Sequence, residues 1–204
     1  MDRASKLKIL EKIEQMLQAQ KLLKNSPKYW WPNAGSFEVV VGAILTQNTT
    51  WSNVERSLKN LEGLLELEEF AKLEETELKE RIKPSGFYNQ KAPRLLALAK
   101  NIQSEFSSFE FFCKRVSREW LLKQKGLGKE SADAILCYGC FWDVLVVDGY
   151  TKRLLGLYGL EFNGYDEMQS FLQENLTCRK KGFECFADFH AMVVEYMKKR
   201  KNKV

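Results

Sequence analysis

The chain has 204 residues, of which 45% are hydrophobic and 29% charged, with a formal net charge of +5 and an estimated pI near 8.8. This length suits one compact unit or two small lobes with a well-buried core, and we expect no independent second domain. The mildly basic charge permits a polyanionic partner without requiring one, since a surface slightly richer in lysine than in glutamate gives the same value.

The N-terminal region carries leucines at helical spacing among charged and polar residues, and no apolar stretch there is long enough for a signal peptide or a membrane span. We therefore expect a cytoplasmic protein with no membrane association. The five cysteines are odd in number and scattered, which favours reduced thiols over a disulfide framework.

Hydrophobic periodicity is helical along nearly the whole chain, so the predicted class is all-α. Only Val144 to Val147 have β propensity, and four residues are too few for a sheet. The predicted helices, in chain order, are marked by Leu10, Ile13 and Leu17; by Phe37, Val40, Val41, Ile44 and Leu45; by Phe70, Leu73, Leu78 and Ile82 in a surface helix that ends at Pro84; by Leu95, Leu96, Leu98 and Ile102 after Pro93; and by Phe109, Phe112 and Val116.

A helix, a tight turn and a second helix are predicted over 117–139. Gly126 and Gly128 provide backbone angles that other residues resist, and the helix that follows presents backbone N–H groups and the positive end of its dipole. These features suit one phosphate of a nucleic-acid backbone, held by Lys125, Gly126, Gly128, Lys129 and Ser131. An ordinary helix connection with a glycine C-cap is the alternative.

Gly126-Leu127-Gly128, with Ser131-Ala132 and Ile135-Leu136 after it, resembles the helix-hairpin-helix motif. Asp148, within Val146-Val147-Asp148-Gly149-Tyr150-Thr151-Lys152-Arg153, lies where the endonuclease III superfamily of DNA glycosylases keeps its catalytic aspartate. Further similarity covers 37–49 and 86–92. The resemblance implies a single two-lobed unit over 1–204, with lobes 36–135 and 1–35 with 136–204, a DNA-binding cleft between them and double-stranded DNA as partner. We also expect a monomer that associates with the nucleoid.

Asp148 follows four apolar residues, which places its carboxylate at the rim of a partly buried cleft. Breaking an N-glycosidic bond leaves positive charge on the sugar, and a fixed carboxylate can stabilise that charge or orient the attacking water. The alternative is a helix N-cap without catalytic function.

Family members that also cleave the DNA backbone resemble one another in carrying a lysine nucleophile where this chain has Glu130. A carboxylate cannot form a Schiff base, and the side chain of Lys129 points about 100° away on a helix. We therefore expect a monofunctional enzyme, with Glu130 in a supporting role near the site or simply at the start of a helix.

The endonuclease III branch holds an iron–sulfur cluster through four C-terminal cysteines. Cys178 and Cys185 match the first spacing, but the later positions hold Asp188 and Val194. Because two thiols do not make such a site, we predict no cluster, no metal and no organic cofactor. The C-terminal segment would be held by the packing of Phe183, Phe186, Phe189 and Val193, with His190 as a packed core residue.

The segment Tyr29-Trp30-Trp31-Pro32-Asn33, together with Trp51, resembles the bacterial 3-methyladenine DNA glycosylase III group. The resemblance implies a base pocket in which flat side chains stack on a flipped base. Its lining would be Trp30, Trp31, Pro32 and Trp51. A cationic alkylated purine gains roughly 0.5–2 kcal/mol from an indole face by cation–π attraction. Burial of Trp31 in the core is the alternative.

Gln47 is the predicted wedge that fills the gap left by a flipped nucleotide, with Asn48 or Asn89 able to share that task and helix capping as the alternative. The sequence thus predicts a monofunctional glycosylase for alkylated purines, chiefly 3-methyladenine. Two alternatives stay open: a bifunctional glycosylase and abasic-site lyase, and a noncatalytic DNA-binding protein that uses the hairpin as an anchor.

Overall fold

A computed structural model describes residues 1–177 and 182–201, and within these ranges the chain is helical with no β-strand. The predicted all-α class is confirmed. None of the described helices is long and apolar enough to span a membrane. The helices are α1 (Arg3–Ala19), α2 (Phe37–Leu45), α3 (Trp51–Asn60), α4 (Leu67–Phe70), α5 (Glu75–Arg81), a 3-10 turn (Lys83–Ser85), α6 (Tyr88–Phe106), α7 (Phe109–Arg115), α8 (Arg118–Lys123), α9 (Lys129–Ala134), a π-helical turn (Ile135–Gly139), α10 (Gly149–Leu157), α11 (Tyr165–Asn175) and α12 (Phe183–Lys201).

The chain divides into two compact units. The split unit comprises Met1–Pro32 and Trp142–Val204, and the continuous unit comprises Asn33–Phe141. The boundaries expected after residues 35 and 135 thus fall after Pro32 and Phe141 in the structure. The helix-hairpin-helix segment lies in the continuous unit, whereas Asp148 lies in the split unit.

The core of the split unit forms where apolar faces of α1, α10, α11 and α12 meet. Helical spacing places Leu10, Ile13 and Leu17 on one face of α1, and all three are fully buried there. Phe186, Phe189 and Val193 of α12 join the same core, as the sequence predicts. Phe183 packs its ring edge-on against Tyr29, with centroids 4.8 Å apart.

The core of the continuous unit is built around α2, whose residues are buried along nearly its whole length. This helix packs against α3, α6 and α9. Lys91 of α6 is only 2% exposed, and its Nζ donates to the carbonyl oxygens of Leu45 and Ser85 at 2.8 and 2.9 Å. Burial lowers the pKa of Lys91 to about 8. The ammonium group ties the end of α2 to the turn that precedes α6.

Two predicted helices differ from the structure. The single surface helix expected over Phe70 to Ile82 is two short helices, α4 and α5, and its apolar side chains are buried. The helix expected after Pro93 already begins at Tyr88, because Phe87 adopts a left-handed backbone, with φ +49°, that starts a new helix. Pro93 therefore lies inside α6, where it removes one helical hydrogen bond.

The cysteines follow the prediction of reduced thiols only in part. Cys113, Cys137 and Cys140 are not disulfide-bonded. Cys185 is disulfide-bonded, so the prediction is wrong for this residue. Cys178 lies outside the described residues.

Candidate active site

Asp148 stands immediately before α10 and caps it. Its Oδ1 atom accepts hydrogen bonds from the backbone nitrogen and the hydroxyl of Thr151 at 2.7 and 2.9 Å. The N-cap geometry considered from the sequence is therefore present, and it uses one of the two carboxylate oxygens. The other oxygen, Oδ2, lies 3.6 Å from Nε2 of His190 on α12.

The Asp148 side chain is 13% exposed and that of His190 is 5% exposed. Burial by itself would raise the pKa of Asp148, but His190 and the two hydrogen bonds from Thr151 outweigh burial and lower that pKa below its usual value. Asp148 is thus held as a carboxylate at neutral pH in a largely desolvated place. Such a group can stabilise a developing positive charge.

Aromatic rings extend this site from His190. The Trp30 ring lies edge-on to the His190 ring, with centroids 5.5 Å apart, and edge-on to the Trp31 ring at 6.2 Å. Trp31 is buried at 8% exposure, whereas Trp30 and Pro32 are half-buried. The split unit therefore brings Trp30 to the same residue that Asp148 contacts, and Trp31 packs against Trp30.

The backbone and two charged side chains fix Trp30. Tyr29 and Trp30 have φ values of +61° and +63°, a region that bulky residues rarely adopt and that is found at functional sites. The Trp30 indole nitrogen donates to Glu195 Oε1 at 3.2 Å. Lys198 pairs with the same oxygen at 3.1 Å and lies 5.6 Å from the Trp30 ring centroid.

The predicted hairpin is present in the continuous unit as α8, a turn at 124–128, and α9 with its π-helical extension. Arg118 of α8 forms a two-pronged ion pair with Asp133 of α9, with nitrogen–oxygen distances of 2.6 and 2.9 Å. Asp133 is fully buried. This pair joins the two helices of the motif.

The backbone conformation at the centre of the turn favours glycine at position 126, and the Arg94 side chain packs closely over it. The φ of Gly126 is +89°, and a Cβ atom at this position would lie 2.4 Å from Cδ of Arg94 on α6. The Gly126 carbonyl oxygen accepts a hydrogen bond from Gln47 Nε2 at 3.0 Å. The turn is thus held between α6 and the end of α2.

The predicted phosphate-binding residues differ from one another in solvent exposure. Lys125, Gly128 and Lys129 are exposed, as is Glu130. Ser131 is 8% exposed, and its hydroxyl lies 3.0 Å from Gln47 Nε2 and 3.4 Å from the Ala43 carbonyl oxygen. The Ser131 side chain is therefore engaged inside the unit, while the lysines and Gly128 face solvent.

The turn between α2 and α3 carries both candidate wedge residues. Gln47 is half-buried, and its amide nitrogen bonds to the hairpin, as described. Asn48 is exposed and has a left-handed backbone, with φ +54°. Asn89 is exposed in the first turn of α6, and Trp51 begins α3 in this unit, half-buried. Of the two amides on this turn, the structure exposes that of Asn48.

Three of the four positions compared with cluster cysteines lie in the described part of the chain, and only Cys185 among them is a cysteine. Cys185 is disulfide-bonded, so its sulfur is not available as a thiolate ligand. Val194 is an aliphatic side chain buried at 4% exposure. Within the described residues, no group of three or more cysteine, histidine, aspartate or glutamate side chains is arranged to hold a metal ion.

Three residues of this site were missed by sequence reasoning. His190 is buried, as predicted, but it also contacts Asp148. Glu195 and Lys198 received no role, although both lie on the face of α12 that meets Trp30. The sequence offered one local signal: Glu195 and Lys198 are three residues apart and so neighbours on a helix surface. His190 lies five residues before Glu195, and this spacing does not place the two on the same side of a helix.

Comparisons with known proteins agree with this geometry. Residues 41–178 match the family model described as HhH-GPD superfamily base excision DNA repair protein. A DNA repair glycosylase homologue of Methanocaldococcus jannaschii is 44% identical over 179 residues, which are 83% of this chain and 80% of that protein. The structure of Helicobacter pylori 3-methyladenine DNA glycosylase MagIII bound to 1,N6-ethenoadenine superposes with a TM-score of 0.86 at 45% identity, covering 93% of this chain and 97% of that one. An endonuclease III–DNA complex superposes with a TM-score of 0.70 at 17% identity, covering 90% and 83%, and so shares the fold.

Proposed function

The chain belongs to the HhH-GPD superfamily of base excision DNA repair proteins. On that premise we propose that it is a monofunctional DNA glycosylase, which hydrolyses the N-glycosidic bond of alkylated purines, chiefly 3-methyladenine. The observation that carries the proposal is a desolvated, ionised Asp148 in the same unit as Trp30 and Trp31. A carboxylate and an aromatic surface are the two elements that excision of a cationic purine requires.

Asp148 acts on the sugar. As the bond to the base breaks, positive charge develops at the anomeric carbon, and the Asp148 carboxylate stabilises it. The lowered pKa makes Asp148 a weak base, so electrostatic stabilisation and orientation of the attacking water contribute more than proton abstraction. The alkylated base already carries positive charge and needs no protonation before it leaves.

Trp30 and Trp31 receive the flipped base, with Pro32 beside them. A fixed indole can stack on the base at low entropic cost, because Glu195 and Lys198 already hold the Trp30 side chain in one orientation. The solved 3-methyladenine glycosylase holds 1,N6-ethenoadenine, another modified purine, and its 45% identity to this chain supports a purine lesion. Trp51 belongs to the same predicted set and lies in the continuous unit.

Duplex DNA is bound through its backbone by the hairpin. Lys125 and Lys129 are exposed on either side of Gly126 and Gly128, and α9 with its π-helical extension forms one helical run behind them. Backbone N–H groups at the start of that run, with the two ammonium groups, suit a phosphate. Ser131 positions the turn through its buried hydroxyl.

The opened duplex requires a side chain in place of the flipped nucleotide. Gln47 is the residue predicted from the sequence, and the proposal adds Asn48, because the amide of Gln47 is already bonded to Gly126 and Ser131. Asn48 is exposed on the same turn.

Monofunctional hydrolysis follows from Glu130. The carboxylate at this position cannot form the Schiff base that a lyase needs. The enzyme works without an iron–sulfur cluster, since the residues at the cluster positions do not fit one, and we propose that one monomer acts on one lesion.

The test is to incubate the protein with methylated duplex DNA and identify the released bases by chromatography, with borohydride added in a parallel reaction. Release of 3-methyladenine without a covalent protein–DNA adduct is expected. A borohydride-trapped adduct would instead support the bifunctional alternative. DNA binding without release of any base would support the noncatalytic one.

A further inference from the structure

Two cysteines of the continuous unit lie side by side, although 26 residues separate them in the chain. Cys113 is on α7, and Cys140 caps the π-helical turn that ends at Gly139. The Cys113 thiol donates to the Gly139 carbonyl oxygen at 3.5 Å and is hydrogen-bonded with the Cys140 thiol. The Cys113 thiol therefore lies beside Cys140, the residue that follows Gly139.

Both side chains are half-buried, so a small molecule can approach them from solvent. Cys137 lies on the same π-helical turn but is fully buried. Cys140 is thus partly accessible beside Cys113, whereas Cys137, three residues earlier in the chain, is shielded from solvent.

We propose that Cys113 and Cys140 form a redox-responsive dithiol that closes to a reversible disulfide by exchange with a small-molecule disulfide. The geometry supports this, because the Cys113 sulfur lies 3.5 Å from the carbonyl oxygen of the residue that precedes Cys140, which places the two thiols next to each other, as a disulfide between them requires. The proposal is independent of the proposed glycosylase specificity.

The exchange proceeds in two steps. The thiolate of Cys113 attacks one sulfur of the small disulfide, forms a mixed disulfide and releases the first small thiol. Cys140 then attacks the Cys113 sulfur, which releases the second small thiol. The two protein thiols are oxidised, the small disulfide is reduced, and both protons leave with the two small thiols.

The order of attack follows from the surroundings of Cys140. Its hydrogen bond with Cys113 and its burial raise the pKa of the Cys140 thiol above its usual value. Cys140 therefore keeps its proton while Cys113 reacts first. Once Cys113 is in the mixed disulfide, the thiol–thiol interaction, the larger of these two causes, is lost. The pKa of the Cys140 thiol then falls toward its usual value, although burial still raises it, and this favours the attack by Cys140.

The disulfide would tie α7 to the last residue of the hairpin's second helical run. The next residue, Phe141, has a left-handed backbone with φ +58°, and Trp142 begins the split unit. Oxidation would thus fix the point where the chain leaves the continuous unit.

The experiment treats the folded protein with oxidised glutathione and follows it by intact mass and by peptide mapping without reduction. Wild type is expected to lose two hydrogen atoms and to yield a peptide that links Cys113 to Cys140, both reversed by dithiothreitol. Cys140→Ser should stop at a glutathione adduct on Cys113, and Cys113→Ser should form no internal link. The matched control, Cys137→Ala, should behave as wild type.

A second measurement needs no oxidant. Phenylarsine oxide, a trivalent arsenical that binds two adjacent thiols, should label wild type and Cys137→Ala once, and label neither Cys113→Ser nor Cys140→Ser. A wild-type protein that keeps both thiols or stays as a mixed disulfide would overturn the proposal. So would an arsenical adduct that survives the Cys113→Ser change.

Discussion

The Oδ2 atom of Asp148 lies 3.6 Å from Nε2 of His190, and this relationship joins the cap of α10 to the buried face of α12. Thr151 holds the other carboxylate oxygen, so the side chain is fixed from two sides. His190 also lies against Trp30. One buried histidine therefore connects the proposed catalytic carboxylate with the proposed base-binding ring.

The first prediction concerns pH. His190 and Thr151 lower the pKa of Asp148, so activity should be lost only as pH falls through that lowered value. In His190→Gln the pKa of Asp148 rises, and the acid limb of the pH–rate profile should move to higher pH. Single-turnover excision of an acid-stable modified purine, measured from acid to neutral pH, checks this. The control is Glu195→Gln, because Glu195 contacts Trp30 but not Asp148, and its acid limb should coincide with that of wild type. An acid limb that does not move in His190→Gln would contradict the account.

The second prediction concerns Trp30. Its replacement by alanine removes a stacking surface worth about 1–3 kcal/mol, so the rate of excision should fall roughly 5- to 150-fold. Glu195→Ala should give a smaller loss, because the indole remains but is no longer held by its hydrogen bond. The rates of 3-methyladenine release by Trp30→Ala and Glu195→Ala, measured under single-turnover conditions, distinguish these two losses. Equal rates for Trp30→Ala and wild type would show that the base stacks elsewhere.

The third prediction separates the two amides of the turn after α2. Asn48→Gly should slow excision from duplex DNA while leaving the melting temperature nearly unchanged, since the side chain is exposed and glycine accepts the left-handed backbone at this position. Gln47→Ala should lower the free energy of unfolding by about 1 kcal/mol, because it removes two internal hydrogen bonds from the hairpin. Activity assays and chemical denaturation on both variants check this. The opposite pattern would return the wedge role to Gln47 alone.

The fourth prediction concerns the ion pair between α8 and α9. Asp133 is fully buried against Arg118, so Asp133→Ala leaves a charge without its partner and should reduce the free energy of unfolding by about 3–5 kcal/mol. Denaturant titration measures this. Glu110→Ala, which removes an exposed ion pair with Lys114, serves as control and should leave the free energy of unfolding nearly unchanged.

Local patterns in the sequence predicted much of this structure. The spacing of Leu10, Ile13 and Leu17 predicted a buried helix face, and the glycines around Leu127 predicted the hairpin turn, because both depend on neighbours within a few residues. The break between α4 and α5 was not predicted, since Phe70, Leu73 and Leu78 continue a helical pattern across it. At this break the backbone conformation depends on packing against the core, and the local spacing of apolar residues does not determine that packing.

Long-range contacts were the main part of the site that the sequence could not predict. His190 was correctly expected to be buried, yet nothing in its neighbourhood indicates Asp148 as its partner. The same holds for Glu195, which meets Trp30 from the opposite end of the chain. For Gln47, the residue type was informative, but only the structure places its amide against Gly126.

The central claim is that the Asp148 carboxylate catalyses hydrolysis of the glycosidic bond by stabilising positive charge on the sugar. The most direct measurement compares wild type with Asp148→Asn for release of 3-methyladenine from methylated duplex DNA, with binding to the same duplex measured in parallel. Asparagine keeps the shape and can still cap α10, so the variant should bind DNA as wild type does and release the base about 10²- to 10⁴-fold more slowly. Release by Asp148→Asn at the wild-type rate would contradict the account.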